Sequence, residues 1–293
     1  MKYFLIDGHN LSFRSFYALP DLRNAKSFPT GALHAFSQAI LRFESMLTPH
    51  KTIIFFDKGK SKRHTEIYPL YKAQRSSMPE DMRVQMPYIK EICRLMGFAI
   101  IEEEGIECDD LLASAIKKIK QEDKDSEIYI ISSDKDFAQL ISPKIYQLLP
   151  PKSSKAGDTW TTLDMVAVRT KFGVSPSEIV DYLALIGDTA DNIEGIMGVG
   201  PKTAAKWIKE YSTLENIIKR ASWIKPVKFA KVIEESAEKL LINQKLIRLD
   251  DSFEINSLEG QKIDFNSLLA LFEEMSMKRA IDNLRKMAKL GDF

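Results

Sequence analysis

The chain has 293 residues, 44% of them hydrophobic, enough for one large domain or two ordinary ones around a sizeable core. Its 42 Lys and Arg against 41 Asp and Glu leave a formal net charge of +1, so bulk charge marks no polyanion ligand and any such affinity must come from local patches. The two cysteines, Cys93 and Cys108, exclude a disulfide scaffold and a clustered zinc site and read as free thiols, and no apolar run approaches the ~20 residues of a membrane span.

The run Tyr3 to Ile6 ends in Asp7 and is far too short for a signal sequence, so a soluble, cytoplasmic protein is expected. Two more runs rich in β-branched and aromatic residues also end in aspartate: Thr52 to Phe56 before Asp57, and Glu127 to Ser133 before Asp134. Each predicts a buried strand delivering an acid at its C-terminal end. Between the first pair and the third lies a basic stretch, Lys58 to Arg75, with six Lys or Arg, one Glu, and the rings of His64, Tyr68 and Tyr71. Taken alone, such a stretch is a solvated loop.

Glu107-Cys108-Asp109-Asp110 opens a pattern with Leu112, Ala115, Ile116 and Ile119 on one helical face. Asp134-Lys135-Asp136 follows the third predicted strand. Alternating strands and helices predict a mostly parallel α/β sheet, in which ligands bind beyond the carboxyl ends of the strands.

From about residue 175 the texture turns helical. Ser175-Pro176-Ser177-Glu178 is a capping box opening a helix through Leu183 to Ile186, with Gly187 as its stop and Asp188-Thr189-Ala190-Asp191 after it. A glycine-rich turn, Gly195 to Thr203, leads into a helix expected to start at Ala204. The remainder reads as helical apart from an extended patch near Asp251 to Ile255, and Trp160, Trp207, Trp223 and the methionines near Met275 read as core.

Nine acids thus gather around one predicted sheet edge: Asp7, Asp57, Glu107, Asp109, Asp110, Asp134, Asp136, Asp188 and Asp191. Singly, each has a structural excuse, since acids cap helices and punctuate turns. Together, converging carboxylates repel unless a cation joins them, and hard divalent ions such as Mg2+ prefer such oxygens. No Ser-His-Asp or Cys-His set is evident, and His9, His34, His50 and His64 lack zinc spacing. Two-metal phosphoester hydrolysis is the chemistry that fits.

The motifs Asp7-Gly8-His9-Asn10, Phe56-Asp57, Glu107-x-Asp109-Asp110, Ser133-Asp134-Lys135-Asp136 and Gly187-Asp188-x-x-Asp191-Asn192 resemble, in order and spacing, the 5′-nuclease family of bacterial DNA polymerase I N-terminal domains and flap endonucleases. The resemblance runs from residue 3 to about 250. It implies a PIN-like α/β nuclease core over 1–175, with an arch near 58–95, and a helical DNA-binding region over 176–293 containing a helix-three-turn-helix near 187–210. Asp57, Glu107, Asp109, Asp110 and Asp134 would form the tighter metal site and Asp136, Asp188 and Asp191 the second, with Asp7 supporting both; this division stays open. Tyr71-Lys72-Ala73-Gln74-Arg75 resembles the base of the family's arch, where Lys72 and Arg75 would contact the scissile phosphate and Tyr71 the DNA. Gly198, Gly200, Lys202, Thr203 and Lys206 would grip the duplex backbone.

The implied activity is a structure-specific 5′ to 3′ exonuclease and flap endonuclease of primer removal, replication and repair. Its cofactors would be two or more Mg2+ or Mn2+ ions, with K+ at the helix-three-turn-helix. Its partners would be branched, nicked or 5′-flap DNA, RNA–DNA hybrids and a DNA polymerase, acting on a monomer. Two departures from the family are Glu194, where relatives often have Pro, and Cys108, where they often have Ala. About 40 residues follow the nuclease pattern, leaving no room for a polymerase domain, so a free-standing enzyme is expected if the chain is whole. Competing readings are a PIN-type ribonuclease and a catalytically silent branched-DNA binder. The glycine turn fits neither a Walker A loop, because Pro201 separates Gly200 from Lys202, nor a dinucleotide fingerprint, because no strand clearly precedes it.

Overall fold

Three of the predicted strands lie side by side at the centre of a six-stranded sheet in the computed structural model, which describes residues 1–150 and 160–290. Strand β1 (Lys2–Asp7) leads into helices α1 (Gly8–Ala18) and α2 (Gly31–Leu47), then β2 (Lys51–Phe55). The basic stretch holds α3 (Lys62–Ile67), and α4 (Glu80–Arg83) and α5 (Met86–Leu95) come after it, before β3 (Ala99–Ile101), α6 (Cys108–Glu122) and β4 (Glu127–Ile131). Strands β5 (Ile145–Leu149) and β6 (Thr161–Leu163) complete the sheet in the order β3-β2-β1-β4-β5-β6, all parallel except β6.

The apolar runs are continuous because both faces of a parallel sheet are covered. Side-chain alternation splits β1 between two cores. Phe4 and Ile6 join α1, α2 and α5 on one face, while Tyr3 and Leu5 join Leu111, Leu112, Ala115 and Ile119 of α6 on the other. The expected face of α6 is therefore the buried one, and the helix starts at Cys108. Register then fixes the acids: β1 pairs Asp7 with Phe55 and Ile6 with Ile131, so Asp57 and the Ser132–Asp136 segment leave the sheet beside Asp7.

After α7 (Met165–Phe172), the capping box of Ser175 and Glu178 opens a single 3-10 turn before α8 (Ile179–Ile186). Gly187 stops α8 at φ 78, in the left-handed region, and a Cβ there would lie 2.3 Å from the Gly195 nitrogen, so only glycine fits. The hairpin β7 (Gly187–Asp188) and β8 (Ile193–Glu194) carries Asp188 and Asp191. Helices α9 (Pro201–Tyr211), α10 (Leu214–Lys219), α11 (Ala230–Glu235) and α12 (Ala237–Ile247) pack with α8 around Trp207. Helix α9 starts three residues before the expected Ala204, since Pro201 takes the first helical position where its missing N–H costs nothing.

The chain then returns to the first core. Helices α13 (Phe265–Glu274) and α14 (Lys278–Leu290) bury Phe272, Met275, Met277 and Leu284 beside Phe36 and Ile89. The extended patch at Asp251 to Ile255 forms no strand; it lies along α6, where Ser114 Oγ and the Asp110 carboxylate bond its backbone. Trp160 packs edge-on against Phe43, but Trp223 is 74% exposed, contrary to the expectation of a core residue, because its segment is anchored through backbone carbonyls instead of its ring. Both cysteines are free and buried. Among the described residues, no helix is long and apolar enough to cross a membrane.

Candidate metal centre

Asp7 is the hub. It caps α1 by accepting from the Asn10 N–H at 2.9 Å, and its other oxygen accepts from Ser132 Oγ at 2.9 Å. Oxygen or sulfur atoms of Asp7, Cys108 and Asp109 all lie within 4.8 Å of one another. Asp57 is held next to them: its N–H donates to His9 Nδ1 at 3.0 Å and its Oδ1 accepts from the Cys108 N–H at 2.8 Å. Across the sheet edge, Asp136, Asp188 and Asp191 bring ligand oxygens within the same 4.8 Å. Asp134 lies between the groups, its Oδ1 accepting from the Asp136 N–H at 2.9 Å.

Burial and like charge act together here. Burial pushes the Asp7 carboxyl up to about 7, with Asp57 and Asp134 adding to the rise. Asp109 and Asp136 are raised well above the usual range, first by burial and then by neighbouring carboxylates. Asp136 Oδ1 is buried with no hydrogen-bond partner in the protein. Carboxylates so arranged are costly to ionise on their own, and a divalent cation removes that cost by binding oxygen. The donor set fits a hard divalent ion at each group, with the Cys108 thiol as one softer neighbour.

The protein's own cations reach into the same place. Lys72 Nζ donates to Glu107 Oε1 at 2.6 Å, Arg75 contacts Asp191 Oδ1 at 2.8 Å, and Lys135 pairs with Asp188 at 2.8 Å. Burial pulls the Lys72 ammonium down, but Glu107, Asp191 and Asp109 outweigh it and hold the pKa above its ordinary value. Lys72 adopts φ 54, uncommon for a residue with a Cβ, with its N–H bonded to Asp191 O at 3.0 Å. The Tyr71 phenol is buried between the groups, donating toward Glu107 Oε2 at 3.1 Å and Asp191 Oδ2 at 3.0 Å. Its ring stacks on buried His64 at 4.4 Å.

One of the nine acids faces elsewhere. Asp110 is buried, and both its oxygens are engaged: Oδ1 accepts from the Asp250 N–H at 2.8 Å, and Oδ2 pairs with Arg63 at 3.4 Å. Arg63 also donates to the carbonyls of Lys245 and Arg248 at the end of α12, so Asp110 ties the sheet edge to the helical region. In that region Gly200 is the N-cap of α9, and Gly198 takes φ 81. Lys202 and Lys206 project as exposed side chains from the first turns of α9, with Thr203 half-buried.

Asn10 stood in the first motif without an assigned role, and Phe13 and Arg14 carried no sequence signal of their own. Asn10, Phe13 and Arg14 line the same cavity of about 320 Å3 as Asp7, Asp57, Lys72 and Arg75. Their i, i+3, i+4 spacing just after Asp7 is the pattern that could have found them. Asn10 Oδ1 accepts from both the N–H and the hydroxyl of Ser133, tying α1 to the loop that carries Asp134.

A mostly parallel sheet with acids from five segments gathered at its carboxyl edge, in two groups that fit divalent cations, defines the class: a metal-dependent α/β nuclease. Residues 2–173 match the family model described as 5′-3′ exonuclease, N-terminal resolvase-like domain, and residues 174–288 the one described as 5′-3′ exonuclease, C-terminal SAM fold. The chain is 36% identical to the 5′-3′ exonuclease of Aquifex aeolicus over 97% of this chain and 95% of that protein. It is 34% identical to the thermostable DNA polymerase I of Thermus thermophilus over 92% of this chain, but spans only 32% of the polymerase. In structure it is similar to the flap endonuclease of bacteriophage T5 in complex with DNA and metal ions (TM-score 0.69, 22% identity, 99% of this chain and 100% of that one). The catalytic core of Rad2 in complex with DNA substrate shares the fold at TM-score 0.63 and 14% identity, over 97% of this chain and 91% of that one. The chain belongs to the 5′-3′ exonuclease family.

Proposed function

We propose that the protein is a structure-specific 5′ to 3′ exonuclease and flap endonuclease. It hydrolyses phosphodiester bonds of nicked, branched or 5′-flap DNA and of RNA–DNA hybrids, leaving 5′-phosphate and 3′-hydroxyl ends. The observation that carries this reading is the pairing of two acid groups at one sheet edge with Lys72 and Arg75 among them.

In this reading Asp7, Asp57, Glu107, Asp109 and Asp134 hold one Mg2+ or Mn2+ ion, and Asp136, Asp188 and Asp191 hold the other. Asp110, fully engaged by Arg63 and Asp250, supports the first group from beneath. When bound, such a pair supplies an activated water and neutralises charge on the attacking and leaving oxygens. Lys72 and Arg75, which contact Glu107 and Asp191 at the rim of these groups, would offer their charge to a phosphate oxygen, where it counts most as negative charge develops. Tyr71, positioned by His64, keeps Glu107 and Asp191 apart and oriented. Residues 1–175 serve as the nuclease part and 176–293 as the duplex-holding part, with α13 and α14 strapped onto the former. Backbone amides around Gly198 and Gly200, with Lys202, Thr203 and Lys206, grip phosphates without reading sequence, and K+ binds at this turn. The enzyme acts as a cytoplasmic monomer beside a DNA polymerase, in primer removal and repair.

End-labelled flap, nicked-duplex and single-stranded substrates, each with Mg2+, Mn2+ or EDTA, test this. Metal-dependent cutting near the flap junction is expected. Equal cutting in EDTA, or a preference for single-stranded RNA over the flap, would sink it.

A further inference from the structure

The segment that carries Trp223 is fixed from below and open above. Trp207, buried in the helical core, donates its Nε1–H to the Lys225 carbonyl at 2.9 Å and meets the Phe229 ring edge-on at 5.4 Å. The Tyr211 hydroxyl donates to the Trp223 carbonyl at 3.3 Å. Phe229 also lies beside the glycine turn, since a Cβ on Gly198 would stand 3.7 Å from its ring. The segment 223–229 is thus a rigid neighbour of the turn before α9.

Its outward side is unlike an ordinary surface. Trp223 is 74% exposed and Val227 61%, and Met197 on the adjoining turn is 92% exposed, while Lys225 and Lys228 are exposed in the same segment, Lys228 with its Nζ over the Phe229 ring at 4.9 Å. Residues 201–231 contain eight Lys or Arg (Lys202, Lys206, Lys209, Lys219, Arg220, Lys225, Lys228, Lys231) and two acids (Glu210, Glu215), a local excess of six in a chain of net charge +1. Among the described residues Lys202, Lys206 and Lys225 form no ion pair. Unpaired cations around an exposed indole suit a sugar-phosphate backbone, with the ring laid on a sugar or base face.

We infer that Trp223, Lys225 and Lys228 form a second nucleic-acid contact surface that lengthens the grip of the glycine turn along the same duplex. This rests on the reading of that turn as the duplex clamp. The cations neutralise phosphates beyond those reached by Lys202 and Lys206, and Trp223 is shielded from water when DNA is bound.

The test uses the full chain in EDTA with a nicked duplex. Trp207 is buried and Trp160 partly so, which makes Trp223 the main quenchable emitter. DNA should change its emission and protect it from acrylamide, and W223F should abolish both effects. The double variant K225Q/K228Q should bind more weakly at 0.1 M salt, with a log Kd against log salt slope shallower by about 1 to 2, an unchanged cut position and an unchanged melting curve. The pair K202Q/K206Q is the control for the clamp itself. If K202Q/K206Q weakens binding while K225Q/K228Q and the Trp223 emission do not respond, the inference fails and the clamp stands. If neither pair matters, both fail. Trp223 emission that responds to protein concentration and not to DNA would assign the surface to a second copy of this chain and overturn the inference.

Discussion

At the scale of single residues, the site is set by who holds each acid. Asp109 and Asp110 are adjacent in sequence and part ways in space: Asp109 joins Asp7 and Cys108, while Asp110 is bonded to Arg63 and the Asp250 N–H. D109N should therefore abolish most metal-dependent cleavage, whereas D110N should act mainly on stability, which single-turnover cleavage and thermal melts of the two variants will separate. Asn10 ties α1 to Ser133 and so fixes the loop that carries Asp134. N10A should lower metal affinity or activity by about 10- to 100-fold, the usual cost of losing such a support, read from a Mn2+ titration of cleavage. The motifs exposed the nine acids because strand-end position and order are sequence properties. The direction in which Asp110 turns was not legible, because its partners Arg63 and Asp250 are distant in sequence and meet only in the fold.

At the scale of elements, α3 and the turn after it bring the cations to the acids. Lys72 and Arg75 lie on a segment whose base is pinned by Arg63 and His64 to the carbonyl end of α12, where cationic or N–H donors satisfy the last orphan carbonyls. Lys72→Ala should reduce turnover by about 10^2 to 10^3, the cost of removing one donor to developing negative charge. Duplex affinity should change only a few-fold; an equal loss in Kd would assign Lys72 to binding alone. The apolar runs of β1, β2 and β4 were plain in the sequence because a doubly covered parallel sheet leaves unbroken hydrophobic strings. Strands β3 and β6 were not, being three residues each, and β5 was hidden by Gln147, whose Nε2 donates to the Ser132 carbonyl at 3.0 Å.

At the scale of the whole molecule, the last helices close back on the first core, which makes the ends of the chain interdependent. Phe272 is fully buried among residues of that core, so Phe272→Ala should cost about 3 to 5 kcal/mol. It should lower the melting temperature of the α/β core itself, not melt a separate C-terminal unit. Glu44 of α2 gives this fold a pH signature away from the metal centre. Burial pushes its carboxyl up to about 7, partly offset by the bond from Thr52 Oγ1 at 2.6 Å. Because the folded pKa lies above the unfolded one, the native state binds the extra proton between about pH 4.5 and 7. This contribution is complete below that window and is lost as pH rises through it. Glu44→Gln should therefore raise the melting temperature at pH 8 and leave it nearly unchanged at pH 4.5; equal shifts at both would show that its ionisation is not the cause.

The most direct test of two acid groups built for divalent metal is calorimetric titration of Mn2+ into the native protein and into D109N and D188N. Each single variant should lose one binding event and keep the other, with cleavage of a labelled flap lost in both. Unchanged Mn2+ stoichiometry in the two variants, with cleavage retained, would contradict the assignment of these acids to metal.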